Sequence, residues 1–329
     1  MIPLLALEAL LLTLLVPIPA LAAAPPRVVV SIAPVHSLIT GVMQGAAAPE
    51  LLVKGGASPH GYSLRPSQVR ALSRADVIFW TSEETEAFLR RPLAAARAGQ
   101  HIVKLMDLPG LTLLPARSGG AWEHAHKEHP DHPESMDSHI WLDPLNARVI
   151  VQAAAKILAQ TDPERTSLYE DNAGRLLRRL KALDEEIRGL TAPLAGKPYL
   201  VFHDAYQYLE HRYGLSALGA ITTDPERRPG ARRLREIRKR LRASGARCIF
   251  VEPQFPSSHL EAITGGGQYI IGRLDPLGAD IPPGPDMYFI LMRRLAGAIA
   301  GCLTQAHAGS GIADERPAQT RRTAAAELF

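Results

Sequence analysis

From Tyr169 to Leu190 the apolar residues Tyr169, Ala173, Leu176, Leu180, Leu183, Ile187 and Leu190 step by four and three in turn. That spacing draws one continuous stripe along a single helix. TDPE (161–164) opens the segment with a capping residue and an early proline. A helix over 161–190 would run about 40 Å, and a stripe that long requires something to cover it. Two arrangements do so. One is a coiled-coil dimer, for which three heptads is the lower limit; the other is a spine packed across two lobes.

The flanks alternate strand and helix. Ahead of the stripe, RVVVSIAPV (27–35) reads as a strand, and PELLVKGGASPHGYSL (49–64) as a second that ends in a glycine-rich loop. SQVRALSRA (67–75) is helical, ADVIFW (75–80) a strand, ETEAFLRRPLA a helix interrupted late by Pro92, and HIVKLMD (101–107) a strand. HIWLDP (139–144) leads into a helix over 145–160. Behind the stripe and APLAGKP (192–198), YLVF (199–202) is a strand that delivers His203. A basic helix, CIFVEPQF (248–255), YIIGRLDPLG (269–278) and a closing helix near 286–303 follow. Alternation of this kind is built from parallel sheets. The fold class expected is α/β: two lobes with mainly parallel sheets flanked by helices, joined by one long backbone helix. The lobes fall at 24–160 and 191–305, with the linker at 161–190. Residues 306–329 lack a strong apolar period and are expected to be disordered. No internal sequence repeat is detectable.

Residues 1–23 read as a secretory signal peptide. An apolar core at Leu10–Val16 precedes Pro17 and Pro19, then small residues suited to cleavage near Ala20–Ala22. The n-region is irregular, carrying Glu8 and no Lys or Arg. The apolar run is shorter than the roughly 20 residues a membrane span needs, and no cysteine sits at the cleavage region. An exported, soluble protein is expected. In an oxidising compartment Cys248 and Cys302 would pair, the other reading being two buried free thiols. The formal charge is +4. Its basic density is local, in ERRPGARRLREIRKRLRASGAR (226–247), where Leu234, Ile237 and Leu241 recur at helical spacing. That stretch reads first as the solvated face of an amphipathic helix. Docking to an acidic protein or a membrane surface is the alternative, and nucleic acid is disfavoured for an exported chain with no aromatic interleaving.

Five of the chain's twelve histidines lie in HAHKEHPDHPESMDSH (124–139). Pro130 and Pro133 break this polar tract, so it cannot pack as a helix or central strand; its composition is a sign of metal binding. Three histidine settings, the last residue of this tract among them, share one grammar, a histidine near an acid or proline where an apolar strand meets a loop. They are SPHGYSLRPS around His60, DSHIWLDP around His139 and VFHDAYQYLEHRYG around His203. Ligands gather beyond strand carboxyl ends in open α/β sheets, and neutral imidazoles favour Zn(II) with a carboxylate or water completing a tetrahedron.

SPHGYSLRPSQVRAL, HIWLDP, VFHDAYQYLE, PGARRLREI, FVEPQF and LDPLG together resemble the zinc-specific periplasmic solute-binding proteins of bacterial ABC importers. The likeness covers nearly all of 27–305. It implies two lobes on one rigid helix, one metal site in the cleft between them, and delivery of Zn(II) to a membrane permease. His60 and His139 from the first lobe and His203 from the second become the imidazole ligands. The fourth place falls to Asp275 in RLDPLG or to water, because Pro59 stands where some zinc-specific relatives carry an acid. Glu252 reads as structural or as a support for the ligands. The resemblance also implies a Cys248–Cys302 disulfide in the second lobe. The tract at 119–136 occupies the place of a mobile loop at the cleft mouth, where His124, His126, His129 and His132 would bind a second zinc more weakly.

The function expected is capture of zinc with no reaction catalysed, by a monomer that binds neither nucleic acid nor a small organic ligand. A zinc-dependent hydrolase is the rival, with Glu252 or Asp204 as general base, but no HExxH motif is present. Within the family, a manganese or iron carrier would require Asp275 as a strong ligand.

Overall fold

The computed structural model describes residues 23–117, 135–222, 225–226, 229–255 and 260–308. Residues 1–22 of the expected signal peptide, the loop histidines 124, 126, 129 and 132, and residues 309–329 of the tail lie outside them.

The first lobe runs β1 (Val28–Val30), α1 (Ala33–Val42), β2 (Glu50–Leu51), α2 (Pro66–Arg74), β3 (Val77–Trp80), α3 (Arg90–Ala94) and β4 (His101–Lys104). Its four strands are all parallel, in the order β2-β1-β3-β4. α4 (Pro144–Thr161) and α5 (Thr166–Thr191) follow. The second lobe is β5 (Pro198–His203), α6 (Gln207–Tyr213), β6 (Ser216–Thr222), α7 (Ala231–Ser244), β7 (Cys248–Val251), α8 (Leu260–Thr264), β8 (Ile270–Arg273) and α9 (Met287–Ala308). Its sheet is also wholly parallel, ordered β6-β5-β7-β8. Both lobes thus share one topology without sharing a sequence repeat. In each, the first strand lies inside the sheet between the second and third, which places a crevice at its carboxyl end.

Strand side chains alternate between two cores. Val28, Val30, Phe79, Tyr199, Val201 and Phe250 face inward to a single apolar body that spans both lobes. Val29, Ile78 and Trp80 face an outer layer under α2 and α3, and Leu200, Phe202 and Ile249 face another under α7 and α8. The stripe of α5 runs through the shared body: Tyr169, Leu176, Leu180, Leu183 and Ile187 are buried against α1, α4 and α9. Gly41 makes that approach possible, since a Cβ there would meet Leu176 at 2.8 Å. Asn172 on the same helix donates to the carbonyls of Val42 and Gln44 at 2.8 Å, closing the end of α1. α9 is apolar enough to cross a membrane by composition, but it is a core helix here. Cys248 on β7 and Cys302 on α9 form a disulfide, with Cα atoms 6.0 Å apart.

Three local expectations differ. The first strand ends at Val30, because Pro34 seeds α1 within what reads as a strand. The second strand is only two residues long; the rest of 52–65 is loop. HIWLDP makes no strand: Ile140–Leu142 is a turn of 3-10 helix, and Asp143 caps α4 by accepting from Leu145 N at 2.8 Å. The apolar triplet that resembles a strand is buried from all sides instead.

Candidate metal centre

His203 is the last residue of β5, so an inner strand of the second sheet aims its imidazole out of the carboxyl edge. His60 reaches the same point from the loop after β2. Gly55 and Gly56, both at positive φ, turn that loop. It is held down by Gln68 Nε2 and Tyr62 Oη, which donate to Leu52 O at 2.6 and 3.2 Å. His139 arrives just before the 3-10 turn, in a segment fastened by Asp137 N donating to Leu114 O at 2.8 Å. The second lobe grips that segment too: Tyr208 Oη donates to Asp137 O at 2.7 Å, and Trp141 Nε1 donates to Pro276 O at 2.8 Å.

The three rings therefore meet. Their centroids are 5.9 Å apart for His60–His139, 5.5 Å for His60–His203 and 4.9 Å for His139–His203. One nitrogen from each lies within 4.8 Å of the others, and among the described residues this is the group of metal-type donors that converges so closely. His139 and His203 are buried and His60 is half-buried.

Carboxylates stand behind two of the rings. His139 Nδ1 is 2.7 Å from Asp137 Oδ1, which also accepts from the His139 backbone N at 3.0 Å. His203 Nδ1 is 3.3 Å from Glu252, which in turn accepts from Tyr206 Oη at 3.1 Å. A carboxylate on Nδ1 holds the proton there and leaves Nε2 as the open ligand atom. Burial pushes the Glu252 carboxyl up to about 8, against the pull of the Tyr206 hydroxyl and His139. Asp204, next to His203, is likewise raised to about 8 by burial although Arg117 lies 3.5 Å away.

Asp275 is engaged elsewhere. Its Oδ1 accepts from Leu277 N, Gly278 N and Gln254 Nε2 at 3.0, 2.9 and 2.7 Å, and its Oδ2 from Ala279 N at 2.6 Å. That is a turn cap, and the converging group contains no carboxylate. Asp137 and Tyr206 were missed from sequence; DSH, with an acid two residues before a histidine, is the signal that would have found the first.

A cavity of about 20 Å³ is lined by His60, His139, His203, Trp141, Glu252 and Pro276 with their neighbours. On their other side the three imidazoles border a recess of about 400 Å³ that also meets Arg117, Asp137, Asp204 and Glu226. Ala116 and Ser135, paired by a 2.7 Å backbone hydrogen bond, also line it.

Two parallel α/β lobes on one spine, with three imidazoles between them, define a two-lobed metal-binding protein of the solute-binding class. The sequence pattern of the family described as "ZnuA: Zinc-uptake complex component A periplasmic" matches residues 28–302, and the chain belongs to that family. It is 40% identical over 306 residues to the high-affinity zinc uptake system protein ZnuA of Brucella suis, covering 84% of this chain and 92% of that protein. A crystal structure of ZnuA superposes with a TM-score of 0.71 at 26% identity, covering 84% of this chain and 99% of the other. A zinc-bound ZnuA lacking its residues 138–173 superposes with a TM-score of 0.68 at 25% identity, covering 84% and 98%. The family's members are periplasmic components of a transport system that works with a membrane permease.

Proposed function

We propose that this protein captures Zn(II) in the periplasm through His60, His139 and His203 and delivers it to the permease of an ABC importer, catalysing no reaction. The convergence of three imidazoles within 4.8 Å, with no carboxylate among them, carries this reading. A nitrogen-rich set favours zinc, whereas manganese favours oxygen. Water takes the fourth place, since Asp275 is occupied by its turn. A cavity of about 20 Å³ suits an ion and a water, against several hundred Å³ for an organic ligand.

The lobes correspond to residues 24–160 and 191–305, with 161–190 as the linker. Burial of the α5 stripe within the chain supports a monomer over a coiled-coil dimer. His124, His126, His129 and His132 form a weaker, accessory site on the loop 119–136, since Pro130 and Pro133 keep this polar tract out of helix or central strand and ordering it around an ion costs chain entropy. As for hydrolysis, Glu252 is tied to His203 and Tyr206, and Asp204 lies beside Arg117, so neither carboxyl is poised over an open zinc position.

Calorimetric titration of the metal-stripped mature protein, beside a variant lacking residues 121–136, tests the assignment. One tight zinc site is expected in both, with only a weaker phase absent from the variant. Loss of the tight phase with the loop would place the site in the wrong part of the chain.

A further inference from the structure

α7 concentrates the charge of the molecule. Of the chain's 37 lysines and arginines and 33 acids, seven and one respectively lie in this helix, so it carries +6 and all other residues sum to −2. The helix is also sorted by face. Ile237 and Leu241 are buried, and Leu234 is packed, against the outer layer of the second sheet. Arg233 and Arg238 turn back to the carbonyls of Ala220 and Gly265. Arg232, Arg235, Lys239 and Arg242 remain exposed, at steps of three, four and three, and so form one line along the outer face. That line extends about 15 Å. Glu236, the single acid of the helix, lies 3.1 Å from Arg232, whose side chain is 89% exposed. Among the described residues, Arg235, Lys239 and Arg242 have no acidic partner at ion-pair distance.

We propose that this face of α7 is a docking surface for an anionic phospholipid bilayer, which keeps the protein loosely against the membrane that houses its permease. Two observations favour lipid over an acidic protein. The exposed positions of the helix are Ala231, Glu236, Ala243 and the four cations. They include no aromatic or large apolar residue that a protein interface would bury at its centre. Separate cations on one line also add their attraction to anionic headgroups without needing a shaped partner. The apolar face of α7 is already used by the sheet, so the helix rests on the headgroups and does not insert. Binding of this kind is weak and disappears as salt shortens the Debye length below roughly 10 Å. The proposal rests on the periplasmic, permease-linked role given above, but its test does not depend on the metal site.

Co-sedimentation of the zinc-loaded mature protein with vesicles supplies that test. The vesicles are phosphatidylcholine alone or with about one third phosphatidylglycerol, at low and high salt. Binding is expected to the anionic vesicles at low salt and to be lost at high salt. A variant with Arg235→Gln, Lys239→Gln and Arg242→Gln should lower the partition coefficient on the order of 100-fold. Its zinc isotherm and thermal melt should match those of the parent, which separates a docking defect from misfolding or a failed metal site. Equal binding to neutral vesicles, no binding to anionic ones, or full binding by the variant would overturn the proposal. So would α7-dependent binding to soluble polyglutamate with anionic vesicles ignored, which would assign the face to an acidic protein.

Discussion

Asp137 holds His139 twice, through the ring and through the backbone, and Glu252 stands behind the ring of His203. These carboxylates fix which nitrogen faces the cleft. Asp137→Asn and Glu252→Gln keep the size and lose the charge, and each should weaken zinc binding about 10- to 100-fold in a competitive chelator titration. An unchanged constant would leave them as fold residues only. Glu86 offers a separate residue-scale test away from the metal. It is buried at the ends of β1 and β3, where it accepts from Ser31 Oγ, Thr81 N and Ser82 N at 2.6, 2.8 and 3.0 Å. Burial outweighs those donors and pushes its carboxyl up to about 6. A raised folded value favours the protonated form, so its contribution is complete below the unfolded value of 4.5 and lost as pH rises through about 6. Compared with Glu86→Gln, the parent should lose about 2 kcal/mol of unfolding free energy between those limits. Parallel stability curves from denaturant melts would contradict this. The meeting of His60, His139 and His203 was legible from sequence because each sits beside a distinct motif. The hydrogen bonds that Asp275 accepts within its turn were not, since an aspartate before proline reads alike whether its oxygens face a metal or cap a turn.

Elements explain why distant residues converge. The two sheets share one strand order, so each opens a crevice at the carboxyl end of its first strand, and α5 sets the crevices face to face. The stripe on α5 and the strand–helix alternation were readable because both are periodic. β6 and α1 were not. Gly219 lies inside β6 at positive φ, where the pairing with β5 shifts register between Tyr199 and Leu200, while α1 follows three valines that favour a strand. The Cys248–Cys302 bridge ties β7 to α9 across 54 residues. Cys248→Ala with Cys302→Ala should lower stability by about 4 kcal/mol on the chain-entropy account, read by denaturant unfolding, with the zinc stoichiometry retained. A cost near zero would mean that the packing of α9 alone secures the second lobe.

At the scale of the molecule, zinc capture rests on rigidity. The lobes share one apolar body, and Trp141, Tyr208 and Tyr288 add hydrogen bonds between them: Trp141 Nε1 to Pro276 O, Tyr208 Oη to Asp137 O and Tyr288 Oη to Trp141 O. A single helix running through that body is a poor hinge, so loading and release call for small adjustments around His60, the least buried of the three histidines. The most direct test is anomalous diffraction at the zinc edge from crystals of the loaded protein. One strong peak is expected between His60, His139 and His203, about 2.0–2.1 Å from a nitrogen of each, with water as the fourth neighbour. A peak elsewhere, or one in which the Asp275 carboxylate replaces an imidazole, would contradict it.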